Sequence, residues 1–418
     1  MLELLIIADD ITGALDTGVQ FKLQGAPTLV VTNPHIEYDS LADDVRVLVL
    51  DAETRHLAAP EAGNVVKTVV KEALQAGVPN IYKKTDSALR GNIGAELAAM
   101  CQAVGSGVHF IPAFPQIGRI TKAGIQYIKN VSVADSVFGK DPFEPVKHSA
   151  VAEIISEQTD IPVKVVEVSS PEVIFKSEEK GILVYDCTTQ QQLETIAQGL
   201  KQNDKLHFCA GCAGFASVLP RLLGLQGAKP LKPQLSPQLF VACGSVNPIT
   251  VAQLDKAERD GVPRVRLNAS QKIKGVWADS REAQAALLDW KEKIHSNGAL
   301  IVDSNDLPGH TTALDYSSQH GLDLHQLRTK ISATMGNLTK KLLDLGVEAT
   351  LMITGGDTLL GFMQQIDTHH LTPICEVFPG VVLSSTHYAG KQYYIISKSG
   401  GFGGDNLIAD LRTYISNK

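Results

Sequence analysis

Short apolar runs recur along the chain, and stretches with helical spacing lie between most of them. In the first half the runs are Leu4–Ile7, Thr28–Thr32, Val45–Leu50, Ile81–Lys83, Val108–Ile111, Val163–Val168, Ile182–Tyr185 and Leu206–Cys209. Helical patterns such as Glu61–Ala76 and Gln190–Gln202 separate them. Strand-helix alternation of this kind predicts a mostly parallel sheet with helices on both faces. The stretch Leu225–Ser236 breaks the alternation, and Pro230, Pro233 and, just after it, Pro237 fall within eight residues. Prolines so spaced predict a stiff linker, which divides the chain into domains at 1–228 and 238–418. The alternation restarts at Leu239–Ala242 and continues with strands at Arg264–Leu267, Leu300–Val302 and Leu351–Thr354. Helices are predicted over Ile249–Arg259, Arg281–Ser296, Leu324–Leu345 and Leu359–Ile366. Near the end, Val381–Ser384 and Tyr393–Ser397 flank a Tyr388-Ala389-Gly390-Lys391 turn, the pattern of an antiparallel hairpin. The predicted fold is α/β: two domains, each a mostly parallel sheet flanked by helices, with an antiparallel hairpin near the C-terminus.

Length supports the division, because 418 residues exceed what one ordinary core holds. With 44% hydrophobic and 20% charged residues the composition is that of a soluble globular protein. A net charge of -7 gives no basic footprint, so nucleic acid is not an expected partner. The first residues carry Glu3 and lack the basic start of a signal peptide, and no apolar run is long enough to span a bilayer. Six cysteines in such a chain read as reduced thiols of a cytoplasmic protein. Cys209 and Cys212 have CxxC spacing, but only His207 lies close by and their neighbours are small and apolar, so they read as packing residues rather than a metal site. The oligomeric state is left open, a homo-oligomer included.

Candidate chemistry gathers at strand ends. In an open parallel sheet the ligand lies beyond the carboxyl ends of the strands. Asp9-Asp10 follows the first strand, Asp51-Ala52-Glu53-Thr54-Arg55 the third, and Lys84-Thr85-Asp86 the fourth. Carboxylates and cations converging on one crevice suit a polyhydroxy acid: Arg55 offers a two-pronged donor for a carboxylate, and Asp10 accepts from hydroxyls. The alternative for Arg55 is a surface ion pair with Glu53. Arg90, Arg119 and Thr121 are second candidates, facing either substrate or phosphate, with Arg119 equally able to serve as a brace. The Pro112–Gly124 stretch that carries two of them has Pro and Gly punctuation with polar residues between, as expected of a loop over a site. In the second half three glycine-bearing turns fall at strand ends: Gly244-Ser245, Gly355-Gly356-Asp357-Thr358, and Gly400-Gly401 after Ser397. Backbone amides in such turns can approach phosphate oxygens closely. A Walker A sequence is absent, since Gly390-Lys391 is followed by Gln392 and lacks the upstream glycine spacing, and no GxGxxG follows a strand.

Five stretches carry a resemblance. Ala8-Asp9-Asp10-Ile11-Thr12-Gly13-Ala14, Lys84-Thr85-Asp86-Ser87 with Leu89-Arg90-Gly91-Asn92, the Pro112–Thr121 segment, Gly355-Gly356-Asp357-Thr358 and Ser397–Gly403 together resemble the four-carbon acid sugar kinases. These motifs are spread in order over almost the whole chain. The resemblance implies an ATP-dependent kinase acting on the terminal 4-hydroxyl of a tetronate-type sugar acid, with Mg2+ as the accompanying ion and no metal ligands assigned. It places the sugar acid on Asp10, Arg55, Lys84, Thr85, Asp86 and Ser87, and ATP on Ser245, Gly355, Gly356, Asp357, Thr358 and Gly401. Asp86 is the expected general base, and Asp10 orients the substrate and is the alternate for that role. Asp16-Thr17-Gly18-Val19-Gln20 leans the substrate towards D-threonate, with D-erythronate and 3-oxo-tetronate the alternatives. From another class, a hydroxy-acid oxidoreductase would need the dinucleotide fingerprint that is missing. A sugar-acid binding protein would leave the glycine turns of the second half without a purpose.

Overall fold

The apolar runs fold into strands covered on both faces, which is why they read as unbroken hydrophobic stretches. Leu4–Ala8 and Val47–Asp51 are buried at every position. The computed structural model describes residues 2–141, 144–167 and 180–417, and it separates into two units, Met1–Pro230 and Leu231–Lys418. The break falls inside the proline-bearing stretch.

The sheet of the first unit runs Thr28–Val31, Val47–Asp51, Leu4–Ala8, Asn80–Lys84, Phe208–Gly211, Val108–Ile111, Ile182–Tyr185, Val163–Val166, and every described pairing is parallel. After Leu4–Ala8 the chain builds two strands on one side and then crosses to Asn80–Lys84 on the other. That reversal opens a crevice between the loops at Asp9 and Thr85. Two expectations need correction. The run placed at Leu206–Cys209 is a strand only over Phe208–Gly211, because its pairing to Asn80–Lys84 extends to Gly211 opposite Lys84. The Pro112–Gly124 stretch, expected as a loop, contains the strand Arg119–Lys122, which pairs antiparallel with Ile125–Ile128. The end of the run at Val163–Val168 lies outside the described residues.

In the second unit the order is Arg264–Arg266, Ala299–Asp303, Leu239–Cys243, Thr350–Thr354, Lys391–Lys398, Val381–Tyr388, His370–Phe378. The first five are parallel and the last two antiparallel. The first four strands in chain order repeat the arrangement of the first unit, and the reversal falls between the turns at Gly244 and Gly355. The hairpin is longer than expected. Ala389 and Gly390 turn it with φ of 47° and 75°, the two positive angles that match strand twist in a two-residue loop. It also has a third strand, His370–Phe378, which the polar start and Pro373 concealed; the register shifts between Pro373 and Cys375, where the ladder does without proline's missing N–H.

Cys209 and Cys212 are buried free thiols, and burial pushes Cys212 up to about 11, so they pack rather than react. Among the described residues no helix is long and apolar enough to cross a membrane.

Candidate functional site

The first cluster begins with a helix cap. Asp10 is extended (φ -150°) and its Oδ1 accepts from the Gly13 amide at 2.9 Å, starting the helix Ile11–Leu23. Its Oδ2 accepts from the Thr12 hydroxyl at 2.6 Å and from Arg55 Nη1 at 2.8 Å. Arg55 Nε donates to Asp9 at 2.8 Å, so the guanidinium bridges both carboxylates of the first loop. Two devices hold it there. Asn92 donates to the carbonyls of Thr54 and Leu57, and Gly91, at φ +84°, leaves room that a Cβ would lose to Arg55 Cγ at 2.9 Å.

Lys84 enters from the neighbouring strand. It is buried, and its Nζ donates to the Thr85 carbonyl at 2.9 Å. A Cβ on Gly13 would sit 2.7 Å from that Nζ and 2.5 Å from Asp10 Oδ1, which shows how closely ammonium and carboxylate flank the helix start. Burial opposes the charge on Asp10, but Arg55 and Lys84 hold its carboxyl below the usual value. Arg55 also resists burial: Asp10 and Asp9 keep it firmly charged.

Asp86 lies at the end of the same loop. Arg90 grips it as a fork, Nε to Oδ2 at 2.8 Å and Nη2 to Oδ1 at 3.2 Å. Burial would raise its pKa, yet Arg90, Arg55 and Arg119 hold it well below the carboxylate range. Phe138 is flanked by both second-candidate arginines, Arg90 at 5.2 Å and Arg119 at 4.8 Å from the ring centre. The ribbon carrying Arg119 and Thr121 is tied to the loop, because Thr121 bonds Gln126 and Gln126 donates to the Ser87 carbonyl at 3.2 Å. Asp9 Oδ1, Thr85 Oγ1 and Arg119 Nη1 are buried without a hydrogen-bond partner among the described residues. Orphaned polar atoms of both signs around one crevice fit a ligand with hydroxyls and a negative charge. Asp10, Arg55, Lys84, Thr85, Asp86 and Ser87 thus all belong to the loops at one reversal point. Phe138 and Asp141, which bonds Arg90 at 3.2 Å, carried no sequence signal.

In the second unit the three glycine turns converge. A Cβ on Gly244 would collide with Thr358 Oγ1, and one on Gly355 would come within 3.2 Å of the Ser245 amide, so these turns touch through bare backbone. Ser245 Oγ reaches Thr250 at 3.4 Å, and Thr250 donates to the Gly400 carbonyl at 3.2 Å. Gly355 caps the helix Gly356–Gln365 at φ +96°, whereas Gly356 is its first helical residue. Asp357 is gripped by Arg328 through contacts of 3.0 and 3.1 Å. Gly401 faces open space: a Cβ there would meet nothing within 4 Å. Bare backbone at a helix start, together with open space before Gly401 in the converging turn, fits a phosphate chain. Among the described residues no three His, Cys, Asp or Glu side chains cluster as a metal cage.

Comparison with known proteins adds two family models that match in tandem. Residues 4–219 match the sugar-binding N-terminal domain and residues 240–408 the nucleotide-binding C-terminal domain. The chain is 29% identical to a D-threonate kinase of Salmonella typhimurium over 99% of this chain and 98% of that protein. It is 26% identical to a D-erythronate kinase of Heliobacterium modesticaldum (100% and 98% covered) and 24% identical to a 3-oxo-tetronate kinase of Pseudomonas fluorescens (96% and 95%). Among solved structures, one from Salmonella typhimurium LT2, provisionally described as a tRNA synthase, shares the fold with a TM-score of 0.79 at 22% identity, 99% of each chain covered. A Haemophilus influenzae protein does so with a TM-score of 0.71 at 21% identity, covering 98% of this chain and all of its own.

Proposed function

This chain belongs to the four-carbon acid sugar kinase family and is a sugar-acid kinase, and on that premise we propose that it moves the γ-phosphoryl group of ATP to the terminal 4-hydroxyl of D-threonate. The observation that carries the division of labour is that each unit gathers its polar groups at its own sheet reversal. Charged side chains gather in the first, bare glycine backbone in the second. Arg55 and Lys84 hold the carboxylate end of the sugar acid, which leaves the far hydroxyl as acceptor. Asp10 orients the chain of hydroxyls, and Asp86 accepts the proton. A carboxylate with so low a pKa is a weak base, but a loose phosphoryl-transfer transition state leaves the proton on the acceptor until late, so placement matters more than basicity. Ser245, Gly355, Gly356, Thr358 and Gly401 cradle the nucleotide phosphates, and Asp357, bound to Arg328, fixes the first turn of the helix that faces them. Mg2+ would be carried mainly by nucleotide oxygens and water, since no three carboxylate, histidine or cysteine side chains cluster among the described residues, and it would supply charge neutralisation for the phosphates. Cytoplasmic placement is supported by the six free cysteines.

D-threonate ranks first on the similarity to D-threonate kinases. The Asp16–Gln20 stretch adds less than its sequence implied, because Thr17, Gly18 and Val19 pack in the core and leave Asp16 as the charged member, its field reaching Arg119. An ADP-release assay over D-threonate, D-erythronate and 3-oxo-tetronates decides the substrate, and the highest kcat/KM is expected for D-threonate. Turnover of none of them, together with NAD-dependent oxidation of a hydroxy acid, would overturn the reading.

Arg55→Ala is expected to weaken sugar-acid affinity by on the order of 2–4 kcal/mol and to leave ATP affinity nearly unchanged. It also strips Asp9 of its partner, so a lower melting temperature should accompany it. Titration with each ligand separates the two: unchanged sugar-acid affinity with weakened ATP would reassign the arginine.

A further inference from the structure

Lys398 closes the last parallel strand of the second unit with its side chain buried, immediately before the glycine turn. Next to a phosphate-binding turn, a lysine is ordinarily read as a phosphate ligand. Its geometry here is the opposite. Nζ donates inward, to the carbonyls of Ser399 at 3.2 Å, Gly400 at 2.9 Å and Phe402 at 3.1 Å. An ammonium has three protons, and all three are engaged. Gln253 Nε2 adds donors from the same side, to Phe402 and Gly404 carbonyls at 3.1 Å each, and Thr250 bonds the Gly400 carbonyl.

In a planar trans peptide the C=O and the following N–H point in opposite directions. Three carbonyls drawn onto Lys398 therefore turn the amides of Gly400, Gly401 and Gly403 outward. Phe402 N–H bonds the Ser399 carbonyl, while those three glycine amides donate to no acceptor among the described residues. Outward amides close together in a turn make an anion nest, with Gly400 and Gly401 adjacent and Gly403 two residues on, and the space before Gly401 is open.

We propose that Lys398 is a positioning residue for the nucleotide: its buried ammonium holds the 399–403 turn with carbonyls in and amides out, and those amides receive the phosphate oxygens of ATP. The inference rests on the nucleotide reading of the second unit given above. It implies a dependence on pH. Burial pulls Lys398 down to about 8. Among the described residues the titratable group whose charge is felt at Lys398 is the Cys243 thiol, which burial pushes up to about 12 and so keeps neutral below that pH. The strand partners of Lys398, Thr354 and Val381, carry no charge. Above pH 8 the amine has two protons and a lone pair for three carbonyls, so one carbonyl is released and the nest loosens. Bound phosphate favours the charged lysine, so ATP binding near pH 8.5 should draw a proton from solution.

The test is calorimetric titration of the full-length protein with ATP and, separately, with D-threonate. For the wild type, ATP affinity should be flat from pH 7 to 7.5 and fall about tenfold by pH 9.5, with proton uptake revealed by buffers of different ionisation enthalpy. Lys398→Met should bind ATP about tenfold or more weakly at pH 7 without proton uptake, its D-threonate affinity unchanged. A purely structural lysine would lower the melting temperature and leave the ATP dissociation constant and its pH dependence alone, and that result overturns the proposal. If Lys398→Met does not fold, the wild-type pH series decides alone, a flat profile to pH 9.5 counting against it. Wild-type protein that binds no ATP at all would instead remove the nucleotide reading on which the inference stands.

Discussion

Replacing Asp86 by Asn should lower kcat by roughly 10²–10⁴ while sugar-acid binding is largely retained. Asparagine keeps the shape of the side chain and removes its proton acceptor. It also replaces a two-oxygen grip on Arg90 by one, leaving that guanidinium with Asp141 and the face of Phe138. Because Arg90, Arg55 and Arg119 hold Asp86 well below the usual value, it is charged throughout the neutral range. The acid limb of the wild-type kcat profile should therefore fall below about pH 4, the ordinary carboxylate value. The same lowered pKa sets the sign for stability. A carboxylate more acidic in the folded chain than in the unfolded one stabilises above the unfolded value, and the contribution disappears as pH falls through the folded one. Asp86→Asn should thus melt lower than wild type at pH 7, and the gap should close in acid. Near-normal turnover in this variant beside a dead Asp10→Asn would move the base to Asp10, whose two oxygens are held by Gly13, Thr12 and Arg55.

The first cluster was legible because strand ends are legible. Leu4–Ile7 running into Asp9-Asp10, and Ile81–Lys83 into Lys84–Asp86, fix where the side chains emerge, and the sheet order puts those ends side by side. What the sequence conceals is who holds whom. Arg55 could pair with Glu53 by proximity in sequence, and only the fold brings Asp9 and Asp10 to it across 46 and 45 positions. Phe138 reaches Arg90 and Arg119 from a segment with no periodic pattern. Backbone angles are hidden in the same way. Gly355 and Gly356 look interchangeable as letters, yet one sits at φ +96° and the other begins a regular helix turn. Lys398 reads as one more cation beside glycines until its Nζ is seen to point inward.

That difference between glycines decides the last test, Gly401→Val against Gly355→Val. At Gly401 a Cβ would project into open space, with no atom beyond the adjacent residues within 4 Å, and the residue needs no positive φ. Valine there should leave the melting temperature within experimental scatter of wild type, as for other surface substitutions, and yet occupy the room in front of the nest and abolish ATP binding. Gly355 has a second reason to be glycine. Its φ of +96° is closed to a branched side chain, and a Cβ would press on the Ser245 amide at 3.2 Å. Gly355→Val should therefore lose ATP and also cost about 1–3 kcal/mol of stability, so its loss of binding alone proves little. Sugar-acid affinity should survive in both, because Asp10, Arg55 and Lys84–Ser87 belong to the other unit. Titration of each variant with ATP and D-threonate, beside a thermal melt, reads all of these outcomes. A stable Gly401→Val that still binds ATP as wild type does would mean that the phosphates do not lie against this turn, and the nest built on Lys398 would lose its ligand with them.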